Sequence, residues 1–341
     1  KAIVFHQHGG LDVLQPAELP TPPVGPNDVL VDVKAAALNR LDLFVREGWP
    51  GIKLTLPHIP GSDAAGIVSA VGANVTSIKP GQHVTIDPSL SCGECEYCLR
   101  GDQQMCVKYS ILGEHVRGTY AEQVVVPLVN VLPMPDDFAF ESAAAANLVA
   151  VTAWHSLIRK GQLRAGETVL IVGAGGGVNS ISIQIAKLAG ARVFVVASDA
   201  AKAQKAQALG ADVVIDRSQE EWGKAVFNLT KRRGVDVVVD NVGAATWLTS
   251  IRSLARGGRM LVVGNTSGPK FEMDSRYMFT KHISIIGSTM GSHQDFRDVM
   301  RLVFERKIAA PVDHVLPLSE AREAQRLLQE GNVFGKIVLK P

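Results

Sequence analysis

From Thr168 onward, short apolar runs alternate with helical stretches. T-V-L-I-V-G ends in a glycine-rich turn, and S-I-S-I-Q-I-A-K-L-A-G then reads as an amphipathic helix closing at Gly190. R-V-F-V-V-A, A-D-V-V-I-D, V-D-V-V-V-D, R-M-L-V-V-G and I-S-I-I-G follow as strand runs, most of them separated by helical stretches such as A-A-K-A-Q-K-A-Q-A-L-G. Near-continuous apolar strands joined by helices require a parallel sheet covered on both faces. Six such strands predict an α/β, doubly wound dinucleotide fold over this part of the chain.

The first 135 or so residues follow another pattern. Runs such as V-L-V-D-V-K-A, A-G-I-V-S-A-V-G, G-Q-H-V-T-I-D and Y-A-E-Q-V-V-V-P alternate with glycine and proline. They predict a compact, mostly antiparallel β domain. The proline-rich stretch Pro20 to Pro26 reads as a loop. Ser142 to Ile158 carries no charge, but it is shorter than the ~20 apolar residues of a membrane span and includes Asn147, Thr152 and His155. It predicts a buried helix at a domain junction. The expected division is residues 1–150, completed by 292–341, and a nucleotide-binding domain over 151–291. The tail from Ser292 is expected to hold two helices and a final strand, G-K-I-V-L.

All four cysteines, Cys92, Cys95, Cys98 and Cys106, fall in one 15-residue stretch spaced C-x2-C-x2-C-x7-C. Four thiolates this close suit one tetrahedral Zn²⁺, and a site with four protein ligands leaves no open position for substrate. The expectation is one structural zinc holding a lobe over about residues 88–110. Disulfides suit small secreted domains, whereas this long chain can bury a large core. The composition points to a reducing, cytoplasmic setting. Basic and acidic residues nearly balance at 35 and 33, and no basic block suggests nucleic acid. The N-terminal stretch has no signal-peptide pattern.

The turn V-G-A-G-G-G-V-N, Val172 to Asn179, sits between a strand and a helix. Glycines there let backbone approach a pyrophosphate, and the helix N-terminus supplies free N–H groups. Gly173, Gly176, Gly177, Val178 and Asn179 are therefore candidate cofactor-binding residues. At the end of the next strand, an acid would hold a ribose 2′-hydroxyl. The position is Ala197, followed by Ser198 and Lys202, which suit a 2′-phosphate. NADP is favoured, with NAD open through Asp199.

This arrangement resembles the medium-chain dehydrogenase/reductase superfamily over essentially the whole chain. The resemblance implies a GroES-like β domain, completed by the C-terminal tail, and a Rossmann domain. The cysteine quartet matches the structural zinc lobe of the zinc alcohol dehydrogenases at all four positions, and G-S-D-A-A-G-I-V-S-A-V-G matches the segment whose zinc-enzyme form begins Gly-His-Glu. The catalytic-zinc positions differ: Asn39 replaces the first cysteine, Ser62 the histidine and about Leu148 the later cysteine, while Asp63 is the adjacent acid. The alcohol proton relay falls on Leu41 and Phe44. Asn, Ser and Leu are no set of zinc donors.

Asn39-x-x-Asp42 instead resembles the quinone oxidoreductase and enone reductase branch, which works without catalytic zinc. The resemblance implies an Asn39 near the nicotinamide and an Asp42 that orders the cleft; with Asp63 these are the candidate catalytic residues. A tyrosine proton donor at the Phe44 position is excluded. By motif, Thr152 falls near the nicotinamide, Asn241 and Gly264 at strand ends where cofactor contacts gather, and Phe334 and Lys336 on a segment closing over the cofactor.

The expected activity is hydride transfer from NAD(P)H to an activated C=C or a quinone, acting on a small molecule. The rivals are an alcohol dehydrogenase with atypical zinc ligands, such as Asp63 with His58, and a nucleotide-binding sensor or structural protein without turnover. His58 is otherwise a structural histidine. The apolar edge strand from His282 points to a homodimer or homotetramer.

Overall fold

The computed structural model describes residues 1–341. The chain forms two compact units, Lys1–Val151 with Gly291–Pro341, and Thr152–Met290. The first unit begins with β1 (Ala2–Val4), β2 (Gln15–Ala17), β3 (Asp28–Ala37), α1 (Arg40–Glu47), β4 (Asp63–Val71), β5 (His83–Ile86) and β6 (Ser89–Leu90). It continues through α2 (Glu96–Leu99), β7 (Ser110–Ile111), β8 (Gln123–Pro127), β9 (Val131–Pro133) and α3 (Phe140–Trp154), whose last three residues fall in the second unit.

The second unit contains β10 (Thr168–Val172), α4 (Gly177–Leu188), β11 (Arg192–Ala197), α5 (Ala200–Ala208), β12 (Val213–Asp216) and α6 (Trp222–Leu229). β13 (Val235–Asp240), α7 (Trp247–Ser253), β14 (Leu254–Val262), α8 (Arg276–Lys281) and β15 (Ser284–Gly287) complete it. The chain then returns to the first unit as α9 (His293–Phe304), β16 (Val312–Pro317), α10 (Ala321–Glu330) and β17 (Lys336–Lys340).

In the first unit a seven-stranded sheet runs β16-β17-β3-β4-β5-β9, with β8 also paired to β3. All its pairings are antiparallel except β16 with β17. The core is aliphatic: Val29, Val31, Val33, Ala36, Val84, Ile86, Val124, Ile337 and Leu339 converge with Phe5 and Tyr120. Because β17 pairs with β3, the last residues of the chain are part of this core. The strand β16 was absent from the sequence reading. Its residues are half-buried or exposed, so no strong apolar alternation marks it, and its pairing with β17 supplies the strand.

The second unit holds the expected six-stranded sheet, in the order β12-β11-β10-β13-β14-β15 and parallel throughout. Its central strands are buried almost without interruption, as strands covered on both faces must be. The S-I-S-I alternation of α4, Ser180 to Ile183, is also a strand pattern. The preceding glycine turn, and the burial of Ser180 and Ser182 together with the isoleucines where a half-buried strand would expose one set, resolve it as a helix. β15 forms one edge, with Ser284, Ile285 and Gly287 exposed.

Candidate functional site

The first unit gathers a buried polar cluster where β3 ends, β4 begins and β17 begins. Asn39 caps the start of α1 and is 7% exposed. Its Nδ2 donates to Asp63 Oδ2 at 2.8 Å, and its Oδ1 accepts from Lys336 Nζ at 2.5 Å. Lys336 Nζ also donates to Asp63 Oδ2 at 3.0 Å. The other Asp63 oxygen accepts the backbone N–H of Leu148 at 2.9 Å. One carboxylate thus takes three donors, as a fully buried charge requires.

Asp42 lies one helical turn from Asn39 and reaches back to it. Its Oδ2 accepts from the Asn39 backbone N–H and from the Tyr120 hydroxyl, both at 2.8 Å. Its Oδ1 is buried without a hydrogen-bond partner. Burial raises the Asp42 carboxyl to about 6, against the opposing pull of the Asn39 N–H, the Tyr120 hydroxyl and the Lys336 charge. Burial, followed by the neighbouring Asp42 charge, pushes the Tyr120 phenol well above its ordinary value. Gly61 has φ +97°, and a Cβ there would meet the Tyr120 ring at 2.2 Å, so glycine is required where the chain turns into β4. Beside it, Ser62 Oγ is buried and unpartnered.

Lys336 was expected to close over a cofactor. Its ammonium donates to Asn39 and Asp63, and the residue is 3% exposed. Tyr120, missed by the sequence reading, is placed at Asp42 by a register 78 residues away. His58 does not join the cluster. It donates from Nε2 to Gly113 O at 3.0 Å and packs on the Phe5 ring, and burial lowers its pKa. Phe334 is buried.

At the positions matched to the catalytic-zinc ligands the donors are engaged otherwise. Asn39 turns its oxygen to an ammonium, Ser62 offers a neutral hydroxyl, and Leu148 contributes a backbone donor to Asp63. Asp63 already holds a cation, Lys336.

The four cysteines have the geometry of a structural metal site. All four Sγ atoms lie within 4.8 Å of one another. Three of the separations are 3.5, 3.6 and 3.9 Å, close to the ~3.8 Å between thiolates on one tetrahedral Zn²⁺. Backbone N–H groups at Cys98 and Val107 hold the Cys95 thiol down to about 6. The N–H groups of Cys92 and Lys108 point at Cys106 Sγ, both at 3.3 Å. Cys92, Cys95, Cys98 and Cys106 therefore fit one zinc ion with no position left for substrate. His293 ties the lobe to α9: its Nδ1 meets Asp87 Oδ2 at 2.7 Å, and its Nε2 lies 3.4 Å from Ser91 Oγ.

In the second unit, the turn from β10 into α4 fits a dinucleotide. Gly173 has φ +96°, and nothing lies within 4 Å of a Cβ built on Gly176. Gly176 is the N-cap of α4 without a side-chain cap, so the N–H groups of Gly177 and Val178 at this helix start face no capping oxygen of its own. Asn179 is buried and works internally. Its Nδ2 donates to Val172 O at 3.0 Å and to Gly173 O, and its Oδ1 accepts from Asn241 Nδ2 at 3.1 Å. The amide thus ties the turn to the ends of β10 and β13, where a glycine would leave them unlinked. Gly264 packs on Asn241, whose Cβ would lie 3.3 Å from an added methyl.

Asp240, another residue missed from sequence, organises the end of β13. Its carboxylate accepts from the N–H groups of Val242 and Gly243 and from the hydroxyls of Thr246 and Ser250. Thr152 is buried, with Oγ1 3.7 Å from Met290 Sδ. At the end of β11, Asp199 caps α5 by accepting Lys202 N–H, and it accepts from Ser198 Oγ at 2.8 Å. Lys202 Nζ lies 3.9 Å from the same carboxylate.

The family model of the alcohol dehydrogenase GroES-like domain matches residues 25–136, and that of the zinc-binding dehydrogenase matches residues 177–305. A solved NAD-dependent alcohol dehydrogenase superposes with a TM-score of 0.97 and is 46% identical, covering 100% of this chain and 99% of that one. An NAD-dependent alcohol dehydrogenase of Sulfolobus acidocaldarius is 34% identical over 100% of this chain and 99% of its own length. An acryloyl-coenzyme A reductase of Sulfurisphaera tokodaii is 29% identical over 95% of each. The chain belongs to the medium-chain dehydrogenase/reductase superfamily and is an NAD(P)-dependent oxidoreductase of that family.

Proposed function

We propose that this protein reduces the activated C=C bond of enones, or quinones, with NADPH and without a catalytic metal. The observation that carries this reading is the donor set at the metal-ligand positions: an amide, a hydroxyl and a backbone N–H, with the acid held by Lys336. A relative named for acryloyl-coenzyme A reduction supports an alkene as the reducible bond.

The β10–α4 turn, with Gly173, Gly176 and the free N–H groups at the start of α4, would hold NADPH, which would supply a hydride for the β-carbon. As the new C–H bond forms, the alkene electrons move toward the carbonyl oxygen, and the α-carbon takes a proton from water. Charge growing on that oxygen needs fixed hydrogen-bond donors. Asn39 offers one, because only one of its two Nδ2 hydrogens is needed by Asp63. Asp42 and Tyr120 hold the start of α1, and with it Asn39, in place.

The NADPH preference rests on Ala197, which puts no acid at the ribose position, and on Ser198 and Lys202 beside it. Asp199 is engaged in capping α5. Relatives named as NAD-dependent make this preference a direct object of measurement. A homodimer is the expected assembly, through the exposed edge of β15. The test is turnover of NADPH and NADH with a panel of simple enones, quinones and alcohols. NADPH oxidation by enones or quinones supports the reading. Alcohol oxidation alone, or saturable nucleotide binding with no turnover on any acceptor, overturns it.

A further inference from the structure

We propose that Lys336 is the resident cation of the active site, a positioning residue that sets the Asn39 amide for substrate and keeps metal out. This rests on the reductase reading above. The amide is held between two opposite charges. Its oxygen faces the Lys336 ammonium at 2.5 Å, and its nitrogen faces the Asp63 carboxylate at 2.8 Å. Rotating the amide by half a turn would put N–H against ammonium and oxygen against carboxylate, in a site where both ions are buried. Such mismatched contacts are costly in a low-dielectric interior. The orientation is therefore fixed, and it presents the remaining Nδ2 hydrogen of Asn39 as a donor.

The same contacts polarise that donor. A cation on the amide oxygen draws electron density from nitrogen, which strengthens its N–H as a hydrogen-bond donor. Lys336 thus delivers positive character to a substrate oxygen through Asn39 without touching it. A divalent ion at Asp63 would have to displace the ammonium or sit against it, and like charges a few ångströms apart repel strongly in buried surroundings. β17 places this cation, and its pairing with the end of β3 brings it beside Asn39, which follows that strand as the N-cap of α1.

Because the oxygen gains its charge in the transition state, removing Lys336 lowers kcat more than it changes KM. In Lys336→Met, kcat for an enone such as cyclohexenone falls by about 100-fold. KM for NADPH is expected to stay within about threefold, because the ammonium is held by Asn39 and Asp63. Lys336→Arg keeps the charge and restores kcat to within about tenfold of the parent, although its fork geometry differs.

A second readout does not depend on turnover. In NADP-bound protein labelled with ¹⁵N-asparagine, the Asn39 side-chain amide pair is assigned by its loss in Asn39→Ala. Its two hydrogens are expected to be widely separated in shift, and to converge in Lys336→Met but not in Lys336→Arg. Folding of each variant is checked by circular dichroism. A folded Lys336→Met with parental kcat and an unchanged amide pair overturns the proposal while leaving the reductase reading intact. An amide pair that responds as expected, in a protein that reduces no enone or quinone, overturns the reductase reading while leaving the positioning by Lys336 intact.

Discussion

Tyr120 donates its hydroxyl proton to Asp42 at 2.8 Å, and both side chains are fully buried. The Asp42 carboxyl is raised by burial from 3.8 to about 6. Between those values the folded protein holds a proton that the unfolded chain releases. The contribution to stability is therefore present below pH 4 and lost as pH rises through 6. Asp42→Asn removes this dependence. Denaturant unfolding from pH 3.5 to 7 should show the parent losing about 3 kcal/mol relative to Asp42→Asn. Parallel profiles for the two proteins would contradict the assignment. Tyr120→Phe leaves Asp42 Oδ2 with one donor fewer and is expected to cost about 1–3 kcal/mol at neutral pH.

The zinc lobe depends on its ion. Cys92, Cys95, Cys98 and Cys106 bring four sulfurs within 4.8 Å, and α2 within the lobe is only four residues long. Without metal, little else orders residues 92–106. Cys98→Ser is expected to lose zinc and to become cleavable by protease within that stretch, while β10–β15 stay protected. His293→Ala removes the buried partner of Asp87 and the neighbour of Ser91. It should raise the cleavage rate at the lobe with zinc still bound. Limited proteolysis followed by mass mapping measures both.

Nucleotide choice is concentrated at the end of β11. Ala197→Asp places an acid where a ribose 2′-hydroxyl would be met and a 2′-phosphate repelled. NADPH binding should weaken by at least about tenfold, roughly 1.4 kcal/mol, while NADH binding improves. Titration by cofactor fluorescence reads both constants. An Ala197→Asp variant that still binds NADPH as the parent does would contradict the placement of the 2′-phosphate at Ser198 and Lys202.

The edge of β15 carries an exposed Ile285 and an unpaired backbone. An edge of this kind is expected to pair with a second copy. Light scattering after size exclusion should give a dimer or a multiple of it for the parent, and Ile285→Glu should shift the population toward monomer. A monomeric parent would remove this expectation.

What the sequence made legible is what is local. Cysteine spacing and the strand–glycine–helix turn are each contained within a few residues, so the metal-ligating cluster and the nucleotide turn can be read directly, whereas Asn39-x-x-Asp42 entered only as a resemblance and its capping box at the start of α1 was not read. The contacts that complete the cluster are not local. Lys336 reaches Asp63 from 273 residues away, and Tyr120 reaches Asp42 from 78. Lysine in G-K-I-V-L looks like a surface residue, and only the pairing of β17 with β3 buries it beside Asn39. Asn179 carried the opposite problem: a residue out of place in the glycine turn is explained by Asn241, brought alongside by the pairing of β10 with β13. Asp240 gave no motif, because its four donors follow it in a turn and a helix start that have no characteristic spelling.

On the proposed reading the one metal of this chain is structural, and Lys336 stands at the other cation site. Metal analysis of the purified protein, with NADPH–enone or NADPH–quinone turnover followed before and after mild chelation, tests it most directly. One zinc ion per chain is expected, with turnover that survives chelation for as long as the lobe stays folded. Two zinc ions per chain, with activity lost on chelation and restored by added zinc while the fold is unchanged, would contradict it.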